Sequence, residues 1–220
     1  TILELVPSYL TELMQIWEQE SLISWTTLKF LLVTGETLPK QLTARWFKLY
    51  NNIPLVNAYG PTEASDDITH ALITTTPESE STPNGKPVEN LNVYVLDEQL
   101  NLCPIGGKGE ICVGGIGGGR GYLKDEAKTN AVFVQDPFGE AGTRMYKTGD
   151  IGRYNSNGEL LFYGRKDVQV KVRGYRIELG EIEEALTKIE GVHQAAVLLK
   201  SVETNSDFLQ AFVVFAKGIS

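Results

Sequence analysis

The sequence predicts an α/β chain in three successive patterns: helices alternating with buried-type strands, then a small antiparallel barrel or sheet, then a small α+β unit. Three observations carry this. Short apolar runs alternate with amphipathic stretches as far as Asn57, a Ser/Thr/Pro/Glu/Gly-rich connection spans Thr74 to Asn92, and the strand-like pieces beyond it are short and separated by glycine-rich or Asn-containing turns. The shifts in pattern divide the chain at residues 1–90, 91–166 and 167–220.

Ile2 to Val6 is a short apolar run closed by Pro7. Ser8 then offers an N-cap before Tyr9, Leu10, Leu13, Met14 and Trp17 at helical spacing. Phe30 to Val33 is a second apolar run, ending in Thr34-Gly35. Pro39 opens a second amphipathic stretch, with Leu42, Trp46, Leu49 and Tyr50 on one face. Ile53 to Asn57 is the next short strand. Buried-type strands alternating with helices imply a parallel sheet, and ligands of such sheets gather at the carboxyl ends of the strands. Thr34-Gly35 and Asn57 to Glu63 lie at such ends.

Beyond the connection, Leu91–Leu96, Gly109–Val113, Ala131–Val134, Ile151–Tyr154 and Glu159–Tyr163 read as strands. The last two are joined by Asn155-Ser-Asn-Gly158 as a hairpin. In the third section Val168 to Val172 alternates, Gly180 opens a helix with acidic residues in its first turn, and Val192–Leu199 and Phe208–Phe215 are strands.

Composition narrows the function classes. The 220 residues are 42% hydrophobic, enough for a real core. A net charge of −8 argues against nucleic-acid or anionic-membrane partners, so an anionic ligand has to be held by local groups. Cys103 and Cys112 are the only cysteines, and their spacing fits neither a redox pair nor a zinc set. No stretch approaches the roughly 20 apolar residues of a membrane helix, and no signal-peptide grammar opens the chain. A cytoplasmic setting is expected. The first residues read like the middle of a strand and carry no initiator Met, so a piece of a longer protein is expected.

The sharpest constellation is Asn57-Ala-Tyr-Gly-Pro-Thr-Glu63. A strand end that delivers a planar aromatic, a Gly-Pro turn, a hydroxyl and a carboxylate can stack a base, approach a phosphate and hold a metal through oxygen. Alone, the same residues also describe an ordinary Pro-containing turn. Three further segments follow: Gly109-Glu-Ile-Cys-Val-Gly-Gly with Arg120-Gly-Tyr-Leu123, Tyr146-Lys-Thr-Gly-Asp150, and Gly164-Arg-Lys-Asp-Val-Gln-Val-Lys-Val-Arg-Gly-Tyr-Arg-Ile-Glu-Leu-Gly-Glu-Ile-Glu183. In this order they resemble the core motifs of the adenylation domains of non-ribosomal peptide synthetases, in the superfamily that includes acyl-CoA synthetases and luciferases. Pro61 between Gly60 and Thr62 favours the peptide-synthetase branch.

The resemblance implies the fold: the latter part of a large N-terminal subdomain, made of an α/β sheet and a small distorted β-barrel, followed by part of a small α+β C-terminal subdomain. It also implies roles. Tyr59 would stack on adenine, Asn57 would bond its edge, and the Gly35-Glu36 backbone would border it. Thr62 would contact the α-phosphate and Glu63 would ligate Mg²⁺, these two being the catalytic pair. Asp150 would accept from the ribose hydroxyls, with the donor fork of Arg165 beside it. Asp167 would be the hinge, and Gly174 would swing toward the site and border the tunnel for a phosphopantetheine carried by a partner carrier protein. Gly114 to Gly121 contains no GxGxxG register and opens no helix, so it reads as a structural turn. His70 and His193 lack metal-ligand company.

The substrate pocket implied by the motifs comprises Glu4, Leu32, Thr34, Ala58, Asp66 and Asp67. Three carboxylates buried together demand a cation, so a cationic amino acid is expected, diaminobutyrate or ornithine before lysine or arginine; Asp66 and Asp67 also read as loop or helix-cap carboxylates facing water. The activity implied is ATP-dependent formation of an aminoacyl-AMP and its transfer to a carrier protein, among neighbouring synthetase modules and a small accessory protein. The family's phosphate loop, its aromatic-Asp segment and its C-terminal lysine motif match nothing here and are expected outside residues 1–220. The alternatives are a non-catalytic module that docks a carrier or accessory protein, and an acyl-CoA ligase.

Overall fold

The computed structural model describes residues 1–19, 24–78, 82–200 and 207–215, so residues 79–81 of the connection lie outside it. Strands β1 (Ile2–Leu5), β2 (Phe30–Val33) and β3 (Leu55–Tyr59) are parallel, and Leu3, Leu31 and Leu55 stand in register across them. Leu31, Val33 and Leu55 are fully buried on one sheet face. Helices α1 (Pro7–Gln19) and α2 (Lys40–Leu49) cover them with Leu10, Met14, Trp17, Leu42 and Trp46. Trp46 also donates its Nε1–H to the Ile53 carbonyl at 2.8 Å, which satisfies the indole inside the core.

The sheet departs from a purely parallel one. β4 (Thr69–Ile73) and β5 (Lys86–Pro87) add antiparallel strands after β3, giving the order β1-β2-β3-β4-β5. The third parallel strand also starts two residues later than Ile53 and carries Ala58 and Tyr59 inside it. At α1, Pro7 occupies the first helical position, where its missing N–H costs nothing. Ser8 is therefore the second residue rather than the cap; its N–H donates instead to the Glu36 carboxylate at 2.9 Å.

The second sheet is antiparallel, ordered β10 (Leu160–Arg165), β9 (Arg144–Tyr154), β7 (Gly109–Gly115), β6 (Leu91–Leu96), with β8 (Phe133–Gln135) also pairing β9. The run read as a strand from Ala131 is helical at its start: α3 (Glu126–Val132) is capped by Asp125, which accepts from the Lys128 N–H at 2.8 Å. The Asn155–Gly158 hairpin stands as expected, with Asn155 Oδ1 accepting from the N–H groups of Asn157 and Glu159. Tyr59, Ala64 and Ile68 leave the first core and join Ile111, Val113, Phe133, Tyr146 and Leu160. The motif after β3 is thus wedged between the two sheets.

The third section opens with a hairpin, β11 (Val170–Val172) and β12 (Tyr175–Ile177), whose second strand the sequence pattern did not reveal. Its two-residue turn has both residues left-handed, Arg173 at φ 51° and Gly174 at φ 79°, the geometry that matches strand twist. Helix α4 (Leu179–Thr187) packs on β13 (Val192–Lys200), which pairs antiparallel with β14 (Phe208–Phe215).

Candidate active site

A cavity of about 1030 Å³ opens where the carboxyl ends of β2 and β3 meet β9, β10 and the β11–β12 hairpin. Gly35, Glu36, Ala58, Tyr59, Asp150, Arg165 and Asp167 line it, as do Ser8 and Lys171. Of the residues singled out in the sequence, Asn57, Thr62, Glu63, Glu4, Leu32, Thr34, Asp66, Asp67 and Gly174 are not among its lining.

At its floor Tyr59 Oη donates to Asp150 Oδ2 at 2.5 Å, and Arg165 Nη1 donates to Asp150 Oδ1 at 2.5 Å. Asp150 is placed by Thr148, whose hydroxyl donates to the Ile111 carbonyl and accepts from the Asp150 N–H. Burial pushes the Asp150 carboxyl above the ordinary carboxylate range, with Tyr59 and Arg165 pulling the other way. Burial likewise works against the charge of Arg165, but Asp167 and Asp150 hold its guanidinium firmly protonated. The fork of Arg165 is directed differently from expectation: Nε and Nη2 grip both oxygens of Asp167 at 2.7 Å, and only Nη1 reaches Asp150. Arg165 therefore ties the expected hinge to the expected ribose acceptor. Gly149, at φ 76°, leaves the room; a Cβ there would stand 2.8 Å from Arg165 Nη2.

Tyr59 packs its ring against Phe162 with centroids 5.9 Å apart and still lines the cavity, as a stacking platform would. Asn57 corrects its expected role. It shares a strand face with Tyr59, but its amide donates to the Pro83 carbonyl at 2.7 Å, so its side chain is buried and does not line the cavity.

The loop after β3 closes on itself through the Ile68 N–H and the Tyr59 carbonyl. A Cβ on Gly60 would lie 1.6 Å from the Asp66 carbonyl oxygen, so only glycine fits there. The closure leaves Thr62 exposed on a 3-10 turn and Glu63 half-buried beside it. Glu63 accepts from Tyr122 Oη at 2.6 Å and from Arg176 Nη1 at 2.7 and 3.0 Å. Burial raises the Glu63 carboxyl, but Tyr122 and Arg176 outweigh it and hold it below the ordinary range. A metal at Glu63 would need those same oxygens, so the metal role read for Glu63 requires Arg176 to leave it.

The pocket residues fall on one face, since Glu4 pairs in register with Leu32, and Thr34 and Ala58 follow at period two. Their carboxylates are not buried as a trio, which corrects the premise drawn from the sequence. Glu4 and Asp66 are exposed. Asp67 is half-buried, accepting from Thr34 Oγ1 at 2.8 Å with His70 Nε2 at 3.5 Å.

Sequence reading missed four participants: Tyr122, Lys171, Arg176 and the side chain of Glu36. All four lie inside or beside quoted motifs, yet what makes Tyr122, Arg176 and Glu36 notable is a partner far along the chain. Lys171 lines the cavity with no carboxylate within 4 Å among the described residues, and burial lowers its pKa against the pull of Asp150. The Gly174 N–H donates to Glu36 Oε1 at 2.6 Å.

Such a fold and strand-end site define the adenylate-forming class. The AMP-binding enzyme family matches residues 1–123, more than half of the chain, and the chain belongs to it, on the non-ribosomal peptide synthetase branch. It is 42% identical over 188 residues to bacitracin synthase 3 of Bacillus licheniformis, covering 85% of this chain and 3% of that protein. It is 39% identical over 221 residues to tyrocidine synthase 3 of Brevibacillus parabrevis, covering 97% and 3%. The chain thus spans a small part of these relatives. Among solved structures, holo-PA1221, an NRPS protein containing adenylation and PCP domains bound to a vinylsulfonamide inhibitor, superposes with a TM-score of 0.89 at 30% identity, over 100% of this chain and 38% of that one.

Proposed function

We propose that this chain is the nucleotide-facing part of an ATP-dependent amino-acid-activating ligase in a larger synthetase, with domain limits at residues 90 and 166. The observation that carries the reading is the cavity built on Tyr59, Asp150 and Arg165. Tyr59 offers the base a face, beside the Gly35-Glu36 backbone. Asp150 spends one direction on Tyr59 and one on Arg165, and a carboxylate has about four acceptor positions, so two remain for ribose hydroxyls. Thr62, exposed at the turn, donates to the α-phosphate. The amino-acid carboxylate attacks that phosphorus and pyrophosphate leaves; the thiol of a carrier-protein phosphopantetheine then attacks the acyl carbon and AMP leaves. The chain's part is positioning and electrostatic stabilisation, with Asp167 the hinge between the two steps.

The substrate side chain is read by Leu32, Thr34, Ala58 and Asp67, with Glu4 and Asp66 at the rim. Asp67, oriented by the Thr34 hydroxyl, is the anchor for a cationic side chain such as that of diaminobutyrate or ornithine. The reading implies a cytoplasmic protein working with a carrier protein, neighbouring modules and a small accessory protein; no described helix is long and apolar enough to cross a membrane. ATP–pyrophosphate exchange across an amino-acid panel tests it: exchange driven by cationic amino acids is expected. Exchange driven only by aromatic or aliphatic ones removes the side-chain assignment, and none at all removes the activity.

A further inference from the structure

Glu36 stands out because its carboxylate gathers donors from two parts of the chain that share no other hydrogen bond among the described residues. Oε2 accepts the Ser8 N–H at 2.9 Å and Oε1 lies 3.2 Å from the Ser8 hydroxyl, so one side of the group completes the first turn of α1. Oε1 also accepts the Gly174 N–H at 2.6 Å, across 138 residues of sequence. Hairpin geometry explains why that donor is free to leave its own element. In a two-residue turn the hairpin bond runs between the flanking residues, here Val172 and Tyr175, and the N–H of the second turn residue has no partner within the turn. A carboxylate is the acceptor that binds such a donor most strongly.

Packing supports the same contact. A Cβ on Gly174 would stand 3.0 Å from Val6 Cγ1, and one on Gly35 3.2 Å from the same methyl. Val6 is therefore clasped between two glycines, one from each side of the cavity mouth, with the Glu36 carboxylate closing the gap beside it.

We propose that the side chain of Glu36 is a positioning residue: a latch that holds the turn of the β11–β12 hairpin over the cavity mouth and thereby supports the thiol-transfer step more than adenylate formation. This rests on the two-step reading of the site and adds to it the acceptor that keeps the hairpin docked.

The test uses the full-length protein with E36A and E36Q. Hydrogen–deuterium exchange resolved to single amides is expected to show Gly174 protected in the parent. It should exchange about tenfold faster in E36A, while the amides of Leu55 to Tyr59 are unchanged; E36Q, which keeps one side-chain oxygen, should recover part of the protection. In the same variants the ratio of carrier loading to adenylate formation should fall about tenfold for E36A and less for E36Q. Equal Gly174 exchange in parent and E36A overturns the latch, as does a proportionate fall in both partial reactions. If the parent protein forms no adenylate from any amino acid, the functional reading fails, and the exchange measurement still decides whether Glu36 holds the hairpin.

Discussion

Arg176→Met removes the guanidinium that joins the β11–β12 hairpin to the turn after β3 and leaves the apolar stem in place. Nη1 reaches both oxygens of Glu63, at 2.7 and 3.0 Å, where Tyr122 already donates at 2.6 Å. Hydrogen bonds to charged groups contribute about 1.5–3 kcal/mol, whereas exposed ion pairs contribute about 0–1 kcal/mol. With the Glu63 and Arg176 side chains 12% and 33% exposed, the pair lies between these limits, and the lost docking free energy should be about 1–2 kcal/mol, roughly 5- to 30-fold in the docking equilibrium. Global stability should change little, because the lost contact joins two units rather than filling a core. Hydrogen–deuterium exchange across residues 170–177 measures it. Acid supplies a second arm. The docked Glu63 carboxyl lies below its ordinary value, so its contribution is fully present above the ordinary glutamate pKa of about 4.3 and is lost as pH falls through the depressed value. The parent hairpin should loosen over that window, and R176M should loosen less, since it lacks the Glu63 contact and keeps only that of Glu36 with the Gly174 N–H. Unchanged exchange in R176M, or an equal acid response in both proteins, refutes the reasoning.

Gly60→Ala should cost several kcal/mol and abolish nucleotide binding, because its Cβ meets backbone at 1.6 Å that no rotamer can relieve; urea unfolding checks it, and a loss below about 1 kcal/mol would contradict the loop geometry. Tyr59→Phe removes the buried bond to Asp150 while keeping the ring, so stability should drop by about 1 kcal/mol, and ATP affinity measured by calorimetry should fall less than in Tyr59→Ala. Lys171→Met should weaken ATP binding about tenfold by removing a cavity cation that has no carboxylate partner among the described residues, with no loss in urea stability, since the burial that lowers its pKa is relieved.

Elements with a strong period were legible: β1, β2, α1, α2 and the Asn155 hairpin follow directly from apolar spacing and turn residues. β4 was not, because Leu72 faces solvent at 64% exposure and blurs the alternation that its buried Thr69, Ala71 and Ile73 would otherwise show. β12 is only three residues long, too short to carry a period. In the site, residues near one another in sequence could be read as a motif, but side-chain partners could not: Asn57 and Tyr59 share a strand face, yet Tyr59 lines the cavity while the Asn57 amide is taken by the Pro83 carbonyl. The bonds that organise the site join residues 91, 113 and 138 positions apart, distances at which no local pattern survives.

Those long-range bonds share one chemistry. Glu36, Glu63 and Asp150 each belong to the part of the chain before the expected hinge, and each accepts from a group after residue 164: the Gly174 N–H, the Arg176 guanidinium and the Arg165 guanidinium. The net charge of −8 argued against a polyanionic partner, yet locally the acidic residues serve to receive donors from the chain's own later segment. Asp167 repeats the pattern at the boundary itself, gripping Arg165 through both oxygens while Arg165 holds Asp150. A rotation about Asp167, the proposed hinge, would therefore act first on the guanidinium that holds Asp150, the proposed ribose acceptor, and separation of the hairpin would free the carboxylates of Glu36, in the cavity lining, and Glu63, outside it. Because each contact is a charge-assisted bond rather than a packed apolar surface, each can be exchanged for water or a ligand at a cost of about 1–3 kcal/mol. That range suits the proposed two-step reading, in which the interface forms and releases, and which a buried apolar seam between the same elements would resist.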